Sequence, residues 1–375
     1  MLLQRSVEHD SRVQREAQAL ADAGHHVTVA QLATSTNGPA RDWQIHSVRP
    51  AAGLVRVLPR AGERALRGLQ LVPTVRRLRP DVVHAHDIAM LLPGWAASRA
   101  IGARLVYDTH ELATGVPYRS ARANRVVGAM ERALTPRCDA VITVSQNIAD
   151  RLTQRYRLAQ PPAVVRNVSA LTTGGVAASP LRAAIGATPS EPVLLHQGAA
   201  GPDRGDGELV RALAHVDGAR LVFLGHENDA DRRRLERIAA EVGVGPRLSF
   251  LPVVALGELL DWTRGADVGL SLLQVDCENH RLTLPNKVFE YVAAGLPIVA
   301  SRSPALQALV AAHGIGWTVD PTDPVDVARG MRAAIAARDD GQLSARLRLA
   351  ARELTWDRER ERLLEAYAGL SRRRR

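Results

Sequence analysis

Lys287 is the only lysine in 375 residues, although lysine and arginine together number 49. It stands in the stretch LTLPNKVFEYVAAGLPIVAS, residues 282–301, with Pro285 and Asn286 just before it and Glu290 three residues on. Where this chain needs a generic cation it uses arginine. A single compact ammonium on a flexible stem therefore points to a site that takes a point charge rather than a planar fork; the plainer alternative is a solvated surface charge. Pro285 and Asn286 are helix-start signals, Gly295 and Pro297 are stops, and Ile298-Val299-Ala300 reads as a buried strand. A loop, a helix N-terminus and a strand in succession can turn backbone N–H groups toward an anion. Spacing of i, i+3 puts Lys287 and Glu290 near one helix face. They form either an internal ion pair or a divided grip, with the ammonium on phosphate and the carboxylate accepting from a ribose diol.

Three other groups could do chemistry. After the apolar run 193–197, the loop 198–207 contains Gly198, Gly201, Arg204, Gly205 and Gly207 and then opens a helix. Such a loop lets the backbone approach a diphosphate, and Arg204 can add a charge-assisted contact; an ordinary flexible turn fits as well. His110 follows the apolar run 104–108 and precedes Glu111. At the carboxyl end of a strand it is a candidate for substrate contact or proton transfer, or a structural histidine. His84 and His86 alternate on one strand, with Asp87 after them. A metal pair is conceivable, but no third strong ligand is near in sequence, so no metal site is expected. The Asp229-Ala230-Asp231 triplet reads as acids at a helix start, not as ligands.

These groups need a scaffold, and the chain supplies one. Strand and helix patterns alternate: helix 11–23, strand 27–30, strand 43–48, helix 63–78, strand 81–86, helix 88–100, strand 104–108, helix 119–135, strand 140–144 and helix 146–156. The first strand, at residues 1–3, is poor, so either it is very short or the true start lies upstream. A small, turn-rich stretch at 167–175 reads as a linker. Alternation then resumes with strands at 193–197, 220–224, 248–251, 268–272 and 297–300, and an amphipathic helix spans 356–370. This is the pattern of two doubly wound parallel sheets, whose ligands sit at the carboxyl ends of the strands, in the cleft between the domains.

Bulk properties agree. The length favours two domains, and hydrophobic residues make up 46% of the chain. A net charge of +10 favours acidic partners such as nucleotide phosphates or an anionic membrane surface. Nucleic acid is not expected, since no reading motif or base-stacking aromatic cluster is present. Cys138 and Cys277 form no metal or disulfide framework, which fits a reducing cytoplasm. No apolar run reaches the roughly 20 residues of a membrane span, and no signal-peptide pattern opens the chain. The arginine-rich segment 55–79 is either a membrane-surface stretch or a surface helix with its arginines outward.

In four segments the sequence resembles the family 4 glycosyltransferases of the GT-B fold: DSRVQREAQALADAGHHVTV at 10–29, DVVHAHD with YDTHEL at 81–87 and 107–112, GAAGPDRGD at 198–206, and LPNKVFEYVAAGLPIVAS. The resemblance implies two Rossmann-like domains facing across a cleft: an acceptor-side domain at 1–168, a nucleotide-sugar domain at 169–354, and a helix with a basic tail at 355–375 that crosses back. It implies retaining transfer from a nucleotide sugar to a glycan or lipid-linked acceptor, in polysaccharide biosynthesis at the inner face of the membrane. No metal or other cofactor is implied. By position, Gly198, Arg204, Asn286, Lys287 and Glu290 would bind the donor, and His110 would sit near the transferred sugar as the catalytic residue. Asp10, Arg12, Asp87 and Glu111 would lie on the acceptor side. The first acid of the family's E-x7-E pattern falls on Leu282, and its loop arginine on Ala199. The competing expectations are a non-catalytic protein of the same fold that binds a nucleotide sugar or a partner transferase, a sugar-nucleotide epimerase, and, least favoured, a dehydrogenase.

Overall fold

The computed structural model describes residues 1–33, 42–50, 66–117, 119–170, 179–199, 201–225 and 228–371. The chain forms two compact units, Met1–Asn167 with Asp357–Arg375, and Val168–Trp356.

In the first unit the elements are β1 (Leu2–Leu3), α1 (Ser11–Asp22), β2 (Thr28–Leu32), β3 (Gln44–Val48), α2 (Val72–Leu78), β4 (Val82–His86), α3 (Asp87–Ile101), β5 (Arg104–Thr109), α4 (Ala121–Leu134), β6 (Ala140–Thr143), α5 (Gln146–Tyr156) and β7 (Ala163–Val164). Its parallel sheet has the order β3-β2-β1-β4-β5-β6-β7. The direction of winding reverses between β1 and β4, which is where such sheets place ligands. β1 is indeed very short: Leu2 pairs with Ala30 and Ala85, and Leu3 with Gln31. Asp10 caps α1 by accepting from the Val13 N–H at 3.1 Å, and Val13, Ala17 and Leu20 form the buried face.

Of the expected helix at 63–78, residues 63–65 lie outside the described residues; residues 66–68 are helical, a 3-10 turn follows at Leu69–Leu71, and α2 continues from Val72, with Pro73 in its first turn, where a proline is tolerated. Of the basic segment, residues 55–65, with Arg56, Arg60 and Arg64, lie outside the described residues, as do residues 171–178, which include the end of the linker, and the tail 372–375. On α2, Arg76 and Arg77 are exposed while Thr74 and Val75 are buried, the arrangement of a surface helix.

The second unit contains α6 (Pro180–Ile185), β8 (Val193–Gln197), α7 (Asp206–Leu213), β9 (Arg220–Leu224), α8 (Asp229–Glu241), β10 (Leu248–Leu251), α9 (Leu259–Thr263), β11 (Val268–Ser271), α10 (Glu278–Leu282), α11 (Asn286–Ala293), β12 (Ile298–Ser301), α12 (Pro304–His313), β13 (Gly316–Val319), α13 (Pro324–Ala336) and α14 (Gly341–Glu353). Its parallel sheet has the order β10-β9-β8-β11-β12-β13, reversing between β8 and β11. β13 was not foreseen: Gly314 and Gly316 mask a short edge strand that pairs with β12. The D-x-D triplet opens α8, with Asn228 as its cap. The last helix, α15 (Trp356–Ser371), is held in the first unit by Arg166, whose Nε donates to Glu359 at 2.7 Å. No described helix is long and apolar enough to cross a membrane.

Candidate functional site

In the second unit the site is built on the junction between β8 and β11, where α11 is pinned. Tyr291 of α11 is fully buried. Its hydroxyl accepts from the Gln197 N–H on β8 at 3.0 Å and donates to the Leu270 carbonyl on β11 at 3.1 Å. Gly269 makes this possible, since a Cβ there would stand 2.2 Å from the Tyr291 ring. Anchored this way, α11 presents Lys287 and Glu290 to the last two residues of β8. Lys287 Nζ lies 3.0 Å from His196 Nε2. Glu290 accepts from Ser169 Oγ at 2.8 Å and from the Gln197 amide. Gln197 is itself fixed, its Oε1 accepting from Thr263 Oγ1 at 3.0 Å. Neighbouring strand residues point to opposite faces, so His196 and Gln197 each engage one of the two α11 side chains.

Lys287 and Glu290 are thus not an internal ion pair. Among the described residues, no carboxylate lies within ion-pair distance of Lys287. Desolvation first, and then the nearby Arg204 guanidinium, lower the pKa of the Lys287 ammonium to about 7. Arg204 lies on the 3-10 turn Pro202–Arg204 and is half-exposed, with its Nε 3.5 Å from Asp203. α11 starts at Asn286, an exposed residue, behind Pro285, which offers no side-chain cap. The first amide groups of α11 therefore lack the usual capping acceptor. α7 differs: Asp206 accepts from the Gly207 N–H at 2.8 Å and is gripped by Arg234 at 2.8 and 2.7 Å, so its N-terminus already carries an anion. Gly198 ends β8 with a φ of +81°, a left-handed turn that glycine adopts without strain.

The first unit gathers a charged network beneath the carboxyl ends of β4 and β5. His110 Nε2 lies 3.1 Å from Asp108, and its Nδ1 lies 3.5 Å from Asp87. The His110 N–H also donates to Asp87 at 3.3 Å. Asp87 opens α3 with a φ of +61°, an uncommon conformation for a residue with a side chain. Held in this way, its carboxylate meets both the ring and the backbone of His110. Burial opposes charge on His110, but Asp87 and Asp108 outweigh it and raise the pKa to about 9. At neutral pH His110 is therefore an imidazolium, a hydrogen-bond donor rather than a general base.

Asp108 has no exposed surface. Burial works against its charge, yet Arg12 and His110 hold it well below the usual carboxylate range. Arg12 Nε and Nη2 donate to Asp108 at 3.0 and 2.9 Å, Nη1 donates to the Val165 carbonyl at 2.8 Å, and Glu16 lies 2.9 Å from Nε. Arg12 is thus buried and occupied. It supports the His110 network from beneath and has almost no exposed surface, and Asp10, also buried, caps α1. Asp87 and Glu111 are half-exposed.

Tertiary structure also supplies what the sequence did not for His84 and His86. Glu16, His84, His86 and Asp108 are all buried, with ligand atoms within 4.8 Å of one another. Arg12 lies 2.9 Å from each of the two carboxyl groups, so a guanidinium already stands in the place a cation would take. His84 Nδ1 instead meets the Tyr367 hydroxyl of α15 at 2.8 Å. Asp108, Glu16, Tyr367, His196 and Gln197 escaped the reading of the sequence. Only the i, i+4 spacing of Arg12 and Glu16, and the place of His196 two residues before Gly198, hinted at them.

The sequence model of Glycosyltransferase Family 4 matches residues 11–168, and that of Glycosyl transferases group 1 matches residues 191–337. A D-inositol 3-phosphate glycosyltransferase of Xylanimonas cellulosilytica is 29% identical over 314 residues, covering 78% of this chain and 73% of the relative. Among solved structures, sucrose-phosphate synthase from Thermosynechococcus elongatus aligns with a TM-score of 0.77 at 20% identity, covering 99% of both chains. Anabaena HepE in complex with UDP aligns with a TM-score of 0.75 at 17% identity, covering 98% of this chain and 99% of the other. These structural neighbours match the expected fold class.

Proposed function

The chain belongs to the family 4 glycosyltransferases of GT-B fold, with a group 1 transferase half after the family 4 half, and from that membership we propose how its residues share the transfer of a sugar from a nucleotide-sugar donor. The second unit grips the donor. Lys287 and Arg204 hold the diphosphate, with the backbone at Gly198 and the first amides of α11, beginning at Asn286, completing the cradle. Glu290 turns from Ser169 and Gln197 to the ribose hydroxyls. The observation that carries this reading is Lys287: a half-buried ammonium beside an arginine, with no carboxylate partner among the described residues, is stabilised in its charged form by an incoming anion.

In the first unit, the His110 imidazolium donates to an oxygen of the transferred sugar, and Asp87 and Asp108 keep it charged. As the glycosidic bond breaks, positive charge grows on the sugar carbon and negative charge on the diphosphate. Lys287, Arg204 and the start of α11 stabilise that leaving group. Its oxygen takes the proton of the acceptor hydroxyl on the same face, so configuration is retained without a glycosidase-like carboxylate pair. Protein cations carry the charge that a metal would otherwise carry, and we assign no resident metal or cofactor.

We assign the acceptor to glycans or lipid-linked saccharides. The relatives' name adds small phosphorylated polyols as a class to test. The net charge of +10 suits peripheral contact with an anionic membrane and the cytoplasmic side of envelope polysaccharide synthesis. Both halves match glycosyltransferases, which displaces the epimerase and dehydrogenase alternatives.

The test begins with a thermal-shift panel of UDP-, GDP-, ADP- and dTDP-sugars, in which the true donor raises Tm with occupancy. Transfer assays of Lys287→Ala follow, with an expected loss of about 10²–10³-fold in turnover, the scale of removing one transition-state charge donor. Near-normal turnover in that variant overturns the donor assignment. Donor binding without transfer or donor hydrolysis returns the chain to the non-catalytic alternative.

A further inference from the structure

We propose that His196 is the positioning residue for Lys287: it holds the side chain's nitrogen at the carboxyl end of β8 in both charge states, and anion binding draws a proton onto the pair. The inference rests on the assignment of Lys287 to the donor diphosphate. Three observations support it. His196 is fully buried on β8, with its ring 5.2 Å from Phe223 on β9, so it has little freedom to turn away. Its Nε2 is 3.0 Å from Lys287 Nζ. Finally, no carboxylate among the described residues takes the ion-pair position that would otherwise fix this lysine.

An imidazole suits both states of an amine. When Lys287 is neutral, Nε2–H donates to the Nζ lone pair. When Lys287 is an ammonium, the ring carries its proton on Nδ1 and Nε2 accepts from Nζ. Charging the pair thus takes one proton from solvent onto Nζ, while the imidazole gives up its Nε2–H proton and gains one on Nδ1, so the ring stays neutral and the pair gains one proton in all. The groups facing Lys287 explain why the proton is poorly held until an anion arrives. Burial and Arg204 oppose the charge; Glu290 on the same helix and Asp206 and Asp203 in the preceding loop favour it without contacting it. Asp206 is already committed to Arg234, and Glu290 to Ser169 and Gln197. A diphosphate is the missing counter-charge.

Because the chain has one lysine, incorporation of lysine labelled with carbon-13 at Cε gives a single side-chain resonance. Its pH titration reads Lys287 directly in the full-length protein. The expected wild-type midpoint lies far below the ordinary lysine value of about 10.4, and UDP, GDP, ADP or dTDP, whichever binds, moves it upward. His196→Ala removes the acceptor of the charged form, so the midpoint falls by about one further unit, a tenfold loss of proton affinity. His196→Gln, whose amide offers an acceptor oxygen, restores most of it. An His196→Ala titration that matches wild type, with the fold intact by circular dichroism, overturns the positioning role. If the histidine effect is seen but all four nucleoside diphosphates leave the lysine resonance unmoved, the pair stands and the donor grip fails. A wild-type midpoint near 10 overturns both the pairing with His196 and the proton uptake.

Discussion

Arg12 and Asp108 are 96 residues apart in sequence, yet the guanidinium grips the carboxylate with two hydrogen bonds of 3.0 and 2.9 Å, and both side chains are almost completely buried. This pair joins the first turn of α1 to the end of β5. It also carries two further groups: Glu16 on one side, at 2.9 Å from Arg12, and His110 on the other, at 3.1 Å from Asp108. The charge on His110 therefore depends on a contact that lies beneath it.

Replacing Arg12 should be severe. Arg12→Met leaves Asp108 and Glu16 buried without their cation, a change that costs about 3–5 kcal/mol when one partner of a buried pair is removed. The expected result is a large drop in the denaturant midpoint with a slope close to wild type. A midpoint within experimental error of wild type contradicts the network as described.

The stability of the first unit should depend on pH with a definite sign. The folded pKa of His110 is about 9, above its unfolded value near 6.5. Its stabilising contribution is complete below about pH 6.5, declines as pH rises, and is gone above about pH 9. Glu16 acts in the same direction: burial raises its pKa to about 8 against the opposing pull of Arg12, so its contribution is present at acid pH and is lost as pH rises through about 8. Lys287, whose pKa is lowered, acts with the opposite sign over the same range, so the quantity to measure is the Tm difference between wild type and His110→Asn from pH 6 to 10, which should shrink toward alkaline pH. In Asp87→Asn the His110 ring signal should titrate at lower pH. A midpoint for that variant unchanged from wild type rules out the Asp87 clamp.

Glu290 separates binding from chemistry. Glu290→Ala should raise the donor KM roughly tenfold or more, with a smaller change in kcat, because the ribose is held alike in the ground and transition states. The same change strands the Gln197 amide and Ser169, at a cost of about 1–3 kcal/mol in stability. A fall in kcat alone, with the donor KM intact, places Glu290 in the chemistry instead of the ribose grip.

The sequence by itself determined the elements and their class. Strand and helix periodicity, with start and stop signals such as Asp10 ahead of α1 and Gly295-Leu296-Pro297 after α11, are local properties of the chain, and most elements fell within a few residues of where they were expected. β13 was hidden by its glycines, and the helix expected over 63–78 is interrupted by a 3-10 turn at Leu69–Leu71 just ahead of Pro73. The sequence also singled out Lys287, His110 and the glycine loop, since a lone lysine and a histidine at a strand end are visible without coordinates. Tertiary structure alone decided their chemical states. Arg12, Glu16, His84, Asp108 and Tyr367 come from four separate elements, and His196 and Lys287 are 91 positions apart. Desolvation and Coulomb energy depend on burial and on distances of a few ångströms between such segments. Those distances exist only once the sheets have formed, so no local pattern could show that His110 is charged or that Lys287 holds its proton weakly.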